Sequence, residues 1–200
     1  MESDALTRVG GWLFKQRTWL PLPIAIALLL IPGSADASLP STSLIWAGVP
    51  IVAAGELLRL WAVHHIGVIS RTRSDRLGPL IDSGPFSIVR NPLYLGNILL
   101  WMGFSISAQL IWLTPIIVVL LALEYHAIVR WEEQLLTERI GEPYADYVAG
   151  VPRWVPSLRT RRPAGGETPV FSWKQTLFSE RGTLIAVALG VLVLWLKARF

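Results

Sequence analysis

The sequence predicts an all-α integral membrane protein, a helical bundle with about five transmembrane helices. Of its 200 residues, 52% are hydrophobic and only 16% are charged, whereas a soluble domain carries about 25% charged residues. Five apolar runs approach the roughly 20 residues that a helix needs to cross the hydrocarbon core of a bilayer. The chain also has ten tryptophans, many near the ends of these runs, where membrane proteins concentrate aromatic side chains.

The predicted spans follow one another along the chain with short or polar connections. Pro32 and Gly33 interrupt the first run, which could also be a signal peptide cleaved near Ala37, but the further spans favour a retained segment. The third and fourth runs form a helical hairpin that turns at residues 107–109. The five predicted spans are residues 19–39, 44–66, 93–106, 110–129 and 183–196.

The distribution of lysine and arginine orients these spans. The loops at 40–43 and 107–109 carry neither residue, whereas the other connections are basic. The positive-inside rule therefore predicts a cytoplasmic N-terminus, cytoplasmic segments at 67–91 and 130–182, and a C-terminus outside. The pI near 9.8 reflects these loops, and we expect no nucleic-acid partner. As one membrane domain, the chain divides into two spans (1–66), a catalytic core (67–156), a polar linker (157–182) and a last span (183–200).

Two features of the composition narrow the possible chemistry. The chain has no cysteine and three histidines, which excludes disulfides and thiolate chemistry and predicts no metal site.

Glu56 and Arg59 lie one turn apart in the second span. Ionisable residues at membrane depth point to function, but an i,i+3 ion pair that holds helices together explains this pair as well.

An amphipathic stretch follows the fourth span. Apolar residues recur at helical spacing from Trp131 to Tyr147, with acids on other faces. Gly141 and Pro143 predict a break that divides this stretch into two short helices.

Three segments in residues 67–156 together predict the chemical groups of a ligand. The loop RLGPLIDSGPF exposes backbone groups that can contact a flat polar ring such as adenine. In VRNPLYLGN, Asn91 precedes Pro92, which suits the first turn of a helix, and a helix N-terminus favours a carboxylate. The acids Glu132 and Glu133 suit a cationic group. The three segments predict a ligand with a carboxylate, a positive centre and an aromatic ring.

Two of these segments, taken in order, carry a family resemblance. SGPFSIVRNPLYLGNILLWMGF followed by EEQLLTERIGEPYADYVAGVPRWVP resembles the membrane-embedded methyltransferases typified by isoprenylcysteine carboxyl methyltransferase and the phospholipid methyltransferases. The resemblance covers residues 60–156. It implies a cytoplasmic loop region that binds S-adenosylmethionine, and a lipophilic small molecule or lipid as the acceptor that enters from the bilayer.

The resemblance also implies site residues by position. Arg90, Arg130 and Glu133 would lie at the methyl-transfer site or fix its geometry. Asn91 replaces the usual histidine of the family and Phe86 its usual tyrosine; asparagine can donate a hydrogen bond but cannot be protonated. The implied cofactor-binding residues are Arg71, Gly78, Pro79, Leu80, Ile81, Phe86, Asn91, Pro92, Leu93, Tyr94 and Glu132.

Two other functions fit parts of the pattern. Sterol-type membrane reductases share the hairpin and the Asn-Pro turn, and Arg71, Arg73 and Arg76 could hold the 2′-phosphate of NADPH. The acidic pair at 132–133 would repel that phosphate and favours the methyltransferase. A non-catalytic membrane protein could also retain the scaffold. The residues do not distinguish carboxyl, N-, O- or S-methylation, nor do they indicate an oligomeric state.

Overall fold

The computed structural model describes residues 5–33, 43–67, 80–157 and 171–199. These residues form seven α-helices and one short 3₁₀ helix, and none of them is in a β-strand. The all-α prediction is therefore confirmed. The helices are α1 (Ala5–Gln16), α2 (Leu22–Leu30), α3 (Ser43–Ile66), the 3₁₀ helix (Gly84–Ser87), α4 (Pro92–Ser107), α5 (Thr114–Ile140), α6 (Glu142–Gly150) and α7 (Trp173–Lys197).

Helices α3 and α4 pack against each other in antiparallel directions through glycines. Gly48 faces Gly103, and Gly55 faces Gly96, so both helices repeat glycine at the same seven-residue interval. A Cβ atom on Gly55 would lie only 2.7 Å from the carbonyl oxygen of Gly96. Small residues let helix backbones approach closely in a membrane, where van der Waals contact rather than the hydrophobic effect drives association.

The predicted hairpin between α4 and α5 is present. Helix α4 ends at Ser107, and Gln109 adopts φ 62°, the left-handed conformation that few non-glycine residues take. Helix α5 begins at Thr114. The apolar side chains of Leu110 and Leu121 are fully buried in the core beside this turn. The turn places the start of α4 and the end of α5 at the same end of the bundle.

Three helices in the described ranges are long and apolar enough to cross a membrane, namely α3, α5 and α7. Helix α4 is apolar but has only 16 residues. The first predicted span contains α2, whose nine residues extend about 14 Å at about 1.5 Å per residue, less than the roughly 30 Å hydrocarbon core. The chain is thus a helical membrane protein with three candidate spanning helices, and the count of five spans stays a prediction.

Two element boundaries differ from the sequence-based expectation. Helix α5 continues without interruption to Ile140, so the amphipathic stretch is an extension of the fourth span and one short helix, α6. The predicted break occurs at Gly141, where φ is 70°. Helix α7 begins at Trp173, within the predicted linker, because Ser172 and Gln175 form a capping box, in which the Gln175 N–H group donates to the Ser172 hydroxyl and the Ser172 N–H group donates to the Gln175 side chain.

Helices α1 and α7 flank this core on different sides. Gly10 of α1 has no room for a Cβ atom against the Ala127 carbonyl of α5. On the other side, the Trp173 ring of α7 stacks on His64 of α3 at 4.1 Å, and the His64 Nδ1 atom is 3.2 Å from the Thr176 hydroxyl. Helix α1 therefore lies beside the part of α5 that leads to the acidic pair.

Candidate functional site

The two acidic residues of α5, Glu132 and Glu133, contact different parts of the protein, because consecutive helical residues point about 100° apart. Glu133 lies between two arginines. Its Oε1 atom is 2.9 Å from Arg90 Nη1, and Arg153 donates to both carboxylate oxygens, at 3.0 Å from Nε and 2.6 Å from Nη2. A bidentate guanidinium–carboxylate pair is among the stronger hydrogen-bonded contacts in proteins. Glu133 therefore joins the loop before α4 and the segment after α6 to α5.

These two segments also bind each other directly. The Arg90 N–H group donates to the Pro152 carbonyl at 2.9 Å, and the Ser157 N–H group donates to the Ile88 carbonyl at 3.0 Å. The Asn91 side-chain amide donates to the Arg153 carbonyl at 3.1 Å. Because the Asn91 side chain is used in this way, it does not cap α4. The first-turn N–H groups of α4 therefore lack a side-chain cap and favour an anionic ligand.

Glu132 faces the other way, toward α4 and α1. The Tyr94 hydroxyl donates to Glu132 Oε2 at 3.1 Å, and the Tyr94 ring packs on Tyr125 with centroids 4.8 Å apart. Arg17, just beyond α1, lies over the Phe14 ring, which packs in turn on Trp131, the residue before Glu132. Whereas Glu133 is held by two arginines, the contact of Glu132 is with a neutral hydroxyl group, that of Tyr94.

Helix α6 forms the wall behind the arginine cluster. The buried Tyr147 hydroxyl donates to the Phe86 carbonyl at 2.7 Å, which holds the 3₁₀ helix in place. Leu80 packs against the cluster that contains Tyr144 and Tyr147. Burial raises the pKa of both tyrosines far above the physiological range, so both are neutral. The hydrogen bonds from Arg153 to Glu133 raise the pKa of that guanidinium further, and its positive charge is permanent.

The structure brings most of the predicted site residues to one end of the bundle. Arg90, Glu133 and Asn91 are linked through Arg153, and Tyr94 contacts Glu132. Arg130 is exposed on α5, and the described ion pairs of Glu133 run to Arg90 and Arg153 instead. The remaining predicted residues are Pro92, buried at the start of α4, the half-buried Ile81 and Leu93, and Arg71, Gly78 and Pro79, which lie outside the described residues.

Sequence patterns alone do not identify Arg153 and Arg17 as residues near the site. In the sequence, both are only basic residues that help to orient the chain. Their sequence neighbours offer a weak signal, since VPRWVP follows the acidic segment and Arg17 ends an amphipathic stretch. Only packing shows that Arg153 contacts Glu133, and that Arg17 lies over Phe14, which packs on Trp131 next to the acidic pair.

An apolar groove of about 270 Å³ opens beside this site, between α4 and α5. Its polar contact is a hydrogen bond of 3.4 Å from Trp154 Nε1 to His126 Nδ1. Leu123 at its edge is 65% exposed, on the surface that a membrane would cover. Trp154 follows Arg153 directly, which places the groove next to the Glu133 cluster. The residues that line it are Ile98, Ala122, Leu123, His126 and Trp154.

Two known proteins are similar to this chain in sequence. The chain is 29% identical over 142 residues to the nickel-cobalt-cadmium resistance protein NccN of Alcaligenes xylosoxydans xylosoxydans, which covers 70% of this chain and 63% of that protein. It is 28% identical over 156 residues to the cobalt-zinc-cadmium resistance protein CzcN of Cupriavidus metallidurans, covering 78% of this chain and 66% of that protein. The chain thus spans slightly less than two thirds of each relative.

No solved structure matches the chain. The family model for phospholipid methyltransferases matches residues 43–142, which comprise α3, α4 and α5 with Asn91, Tyr94 and both acids of the pair. Half of the chain is therefore matched, including α4 and α5 of the site but not Arg153 or Trp154. The chain belongs to the phospholipid methyltransferase family.

Proposed function

We propose that this protein is an S-adenosylmethionine-dependent methyltransferase whose acceptor is a lipophilic molecule or a lipid of the membrane. One observation carries the proposal. Among the described residues, Glu132 has no arginine at hydrogen-bond distance, and it lies beside the uncapped N-terminus of α4, to which Tyr94 connects it at 3.1 Å. A site of this kind offers one group for a cation and another for an anion within the region that the family model matches.

The residues present fit the cofactor. S-adenosylmethionine carries a carboxylate, an ammonium and a sulfonium next to an adenosine. The carboxylate of Glu132 accepts hydrogen bonds only and would hold a positive group, and the first turn of α4 would hold the carboxylate. Leu80 and Phe86, on the loop that α6 supports, would contact the adenosine.

The protein's own residues have a limited chemical task. When bound, S-adenosylmethionine supplies a methyl group that is already activated. The chain must hold the two reactants in line and keep water away, and alignment alone can lower a barrier by several kcal/mol, about 7–11 at best. The bidentate contact between Arg153 and Glu133 serves this task, because it fixes the loop that contains Asn91 to α5.

The acceptor would reach the site from the bilayer. The apolar groove beside Trp154 is bordered by the exposed Leu123, and an apolar chain in this groove would place its polar end near the Glu133 cluster. We propose that this end of the bundle faces the cytoplasm, in agreement with the basic residues at 67–91 and 130–182.

Binding measurements with purified protein in detergent test the proposal. We expect isothermal titration to show binding of S-adenosylhomocysteine, the product form of the cofactor. Glu132→Gln should weaken binding by about tenfold or more, since hydrogen bonds to charged groups contribute about 1.5–3 kcal/mol. Binding of NADPH without binding of S-adenosylhomocysteine would favour the reductase, and binding of neither would favour a non-catalytic scaffold.

A further inference from the structure

A charged residue outside the family-matched region lies at the proposed cofactor site. Arg17 follows α1 and is half-buried, with its guanidinium carbon 3.9 Å from the centre of the Phe14 ring. Phe14 packs in turn on Trp131 of α5, with ring centroids 4.8 Å apart. Trp131 immediately precedes Glu132. A chain of two ring contacts therefore places Arg17 near the turn of α5 that carries the acid of the proposed function.

Close packing fixes this arrangement. A Cβ atom on Gly11 would lie 2.9 Å from Trp131 Nε1, and Gly10 has no room for one against the Ala127 carbonyl. Helix α1 therefore packs so closely on α5 that only glycine fits at these two positions. A basic residue that served only to orient the chain in the membrane would need neither this packing nor half-burial.

Arg17 and Glu132 have complementary hydrogen-bonding chemistry. An arginine side chain only donates hydrogen bonds and a carboxylate only accepts them. Glu132 accepts a hydrogen bond from the Tyr94 hydroxyl, and Arg17 lies over the Phe14 ring, so each contacts a neutral aromatic side chain. Such a pair matches a ligand that carries a carboxylate and an ammonium on the same carbon atom.

We propose that Arg17 binds the carboxylate of the amino-acid end of S-adenosylmethionine, together with the first turn of α4, while Glu132 binds its ammonium. This inference rests on the proposed function. It makes α1 a wall of the cofactor site, although α1 lies outside the matched residues 43–142. A guanidinium is suited to this role because its planar fork binds a carboxylate through two parallel hydrogen bonds.

Two ligands separate this role from a structural one. S-adenosylhomocysteine has the amino-acid end, and 5′-methylthioadenosine has the same adenosine and thioether without it. We expect Arg17→Gln to weaken S-adenosylhomocysteine binding by about tenfold or more and to change 5′-methylthioadenosine binding by less than about twofold. Arg17→Lys, which keeps the charge but loses the fork, should weaken S-adenosylhomocysteine alone, by a smaller factor. Lys15→Gln, an equal charge change at an exposed position on α1, should affect neither ligand.

The outcomes that overturn the inference are distinct from those that overturn the proposed function. Equal weakening of both ligands by Arg17→Gln, or unchanged binding of S-adenosylhomocysteine, would show that Arg17 only supports the packing of α1. If the unaltered protein binds no S-adenosylhomocysteine, the proposed function itself is wrong.

Discussion

Arg59 of α3 and Glu180 of α7 form a buried ion pair, with Arg59 Nη2 and Glu180 Oε2 2.7 Å apart. The same guanidinium donates to the Asn97 side chain of α4 and lies 3.5 Å from Glu56 on its own helix. Of the two explanations that the sequence left for Glu56 and Arg59, the structure supports helix association, although the shorter contact is to α7. One arginine thus joins three helices.

Removal of one partner from this pair should destabilise the bundle. Glu180→Ala would leave Arg59 in a buried site with a weaker partner, and breaking a buried ion pair costs about 3–5 kcal/mol. We expect a clear drop in the thermal unfolding midpoint in detergent. Lys174→Ala, at an exposed position of the same helix, should change the free energy of unfolding by no more than about 0.5 kcal/mol. Equal midpoints for the two variants would show that α7 is held by other contacts.

Replacement of glycine by alanine should have opposite effects on stability inside and outside the contact between α3 and α4. Gly55→Ala places a Cβ atom 2.7 Å from the Gly96 carbonyl, so the helices must separate and the midpoint should fall. Gly182→Ala on α7 meets nothing within 4 Å and should stabilise its helix by about 0.5–1 kcal/mol. Unfolding curves of the two variants in the same detergent measure the difference. A stabilising Gly55→Ala would contradict the close approach of these helices.

The contact between Arg153 and Glu133 should matter for cofactor binding as well as for stability. Arg153→Lys keeps the charge but loses the bidentate geometry, which should loosen the loop that contains Asn91. We expect weaker binding of S-adenosylhomocysteine by titration. Arg139→Lys, an exposed position near the end of α5, is the matched control. Unaltered binding of S-adenosylhomocysteine by Arg153→Lys would show that the arginine cluster does not contribute to cofactor binding.

Asn91 should act through a hydrogen bond rather than through proton transfer. Asn91→Ala removes the bond to the Arg153 carbonyl, a contact of about 0.5–1.5 kcal/mol, and should raise the dissociation constant several-fold with little change in turnover at saturating cofactor. Asn91→His should show no new titration of activity between about pH 5 and 8. A large gain in turnover that follows imidazole ionisation would assign this position an acid–base role.

The predicted orientation can be measured by cysteine labelling, since the chain has no cysteine of its own. Ile111→Cys lies at an exposed position in the hairpin turn, and Glu142→Cys lies at an exposed position at the start of α6. An impermeant thiol reagent added outside intact cells should label the first variant and not the second. The reverse pattern would place the candidate site outside the cytoplasm.

Local sequence signals predicted the elements whose causes lie within a few residues. The Asn91–Pro92 start of α4, the turn at residues 107–109 and the break at Gly141 each depend on the backbone preferences of the residues present. The apolar runs likewise predicted the long helices, because length and hydropathy are properties of a single segment. The paired motifs identified the family.

Packing decided which charged groups meet. Glu133 is held by Arg153, twenty residues away, and by Arg90. Arg59 pairs with Glu180 of α7, a partner that the sequence around Arg59 does not predict. The position of Arg17 near the turn of α5 that carries Glu132 depends on the glycines through which α1 packs on α5. The sequence alone determined the helices and the residue types available for binding. The tertiary structure decided their partners, because an ion pair depends on the distance between side chains, and the distance between remote segments is set by how helices pack.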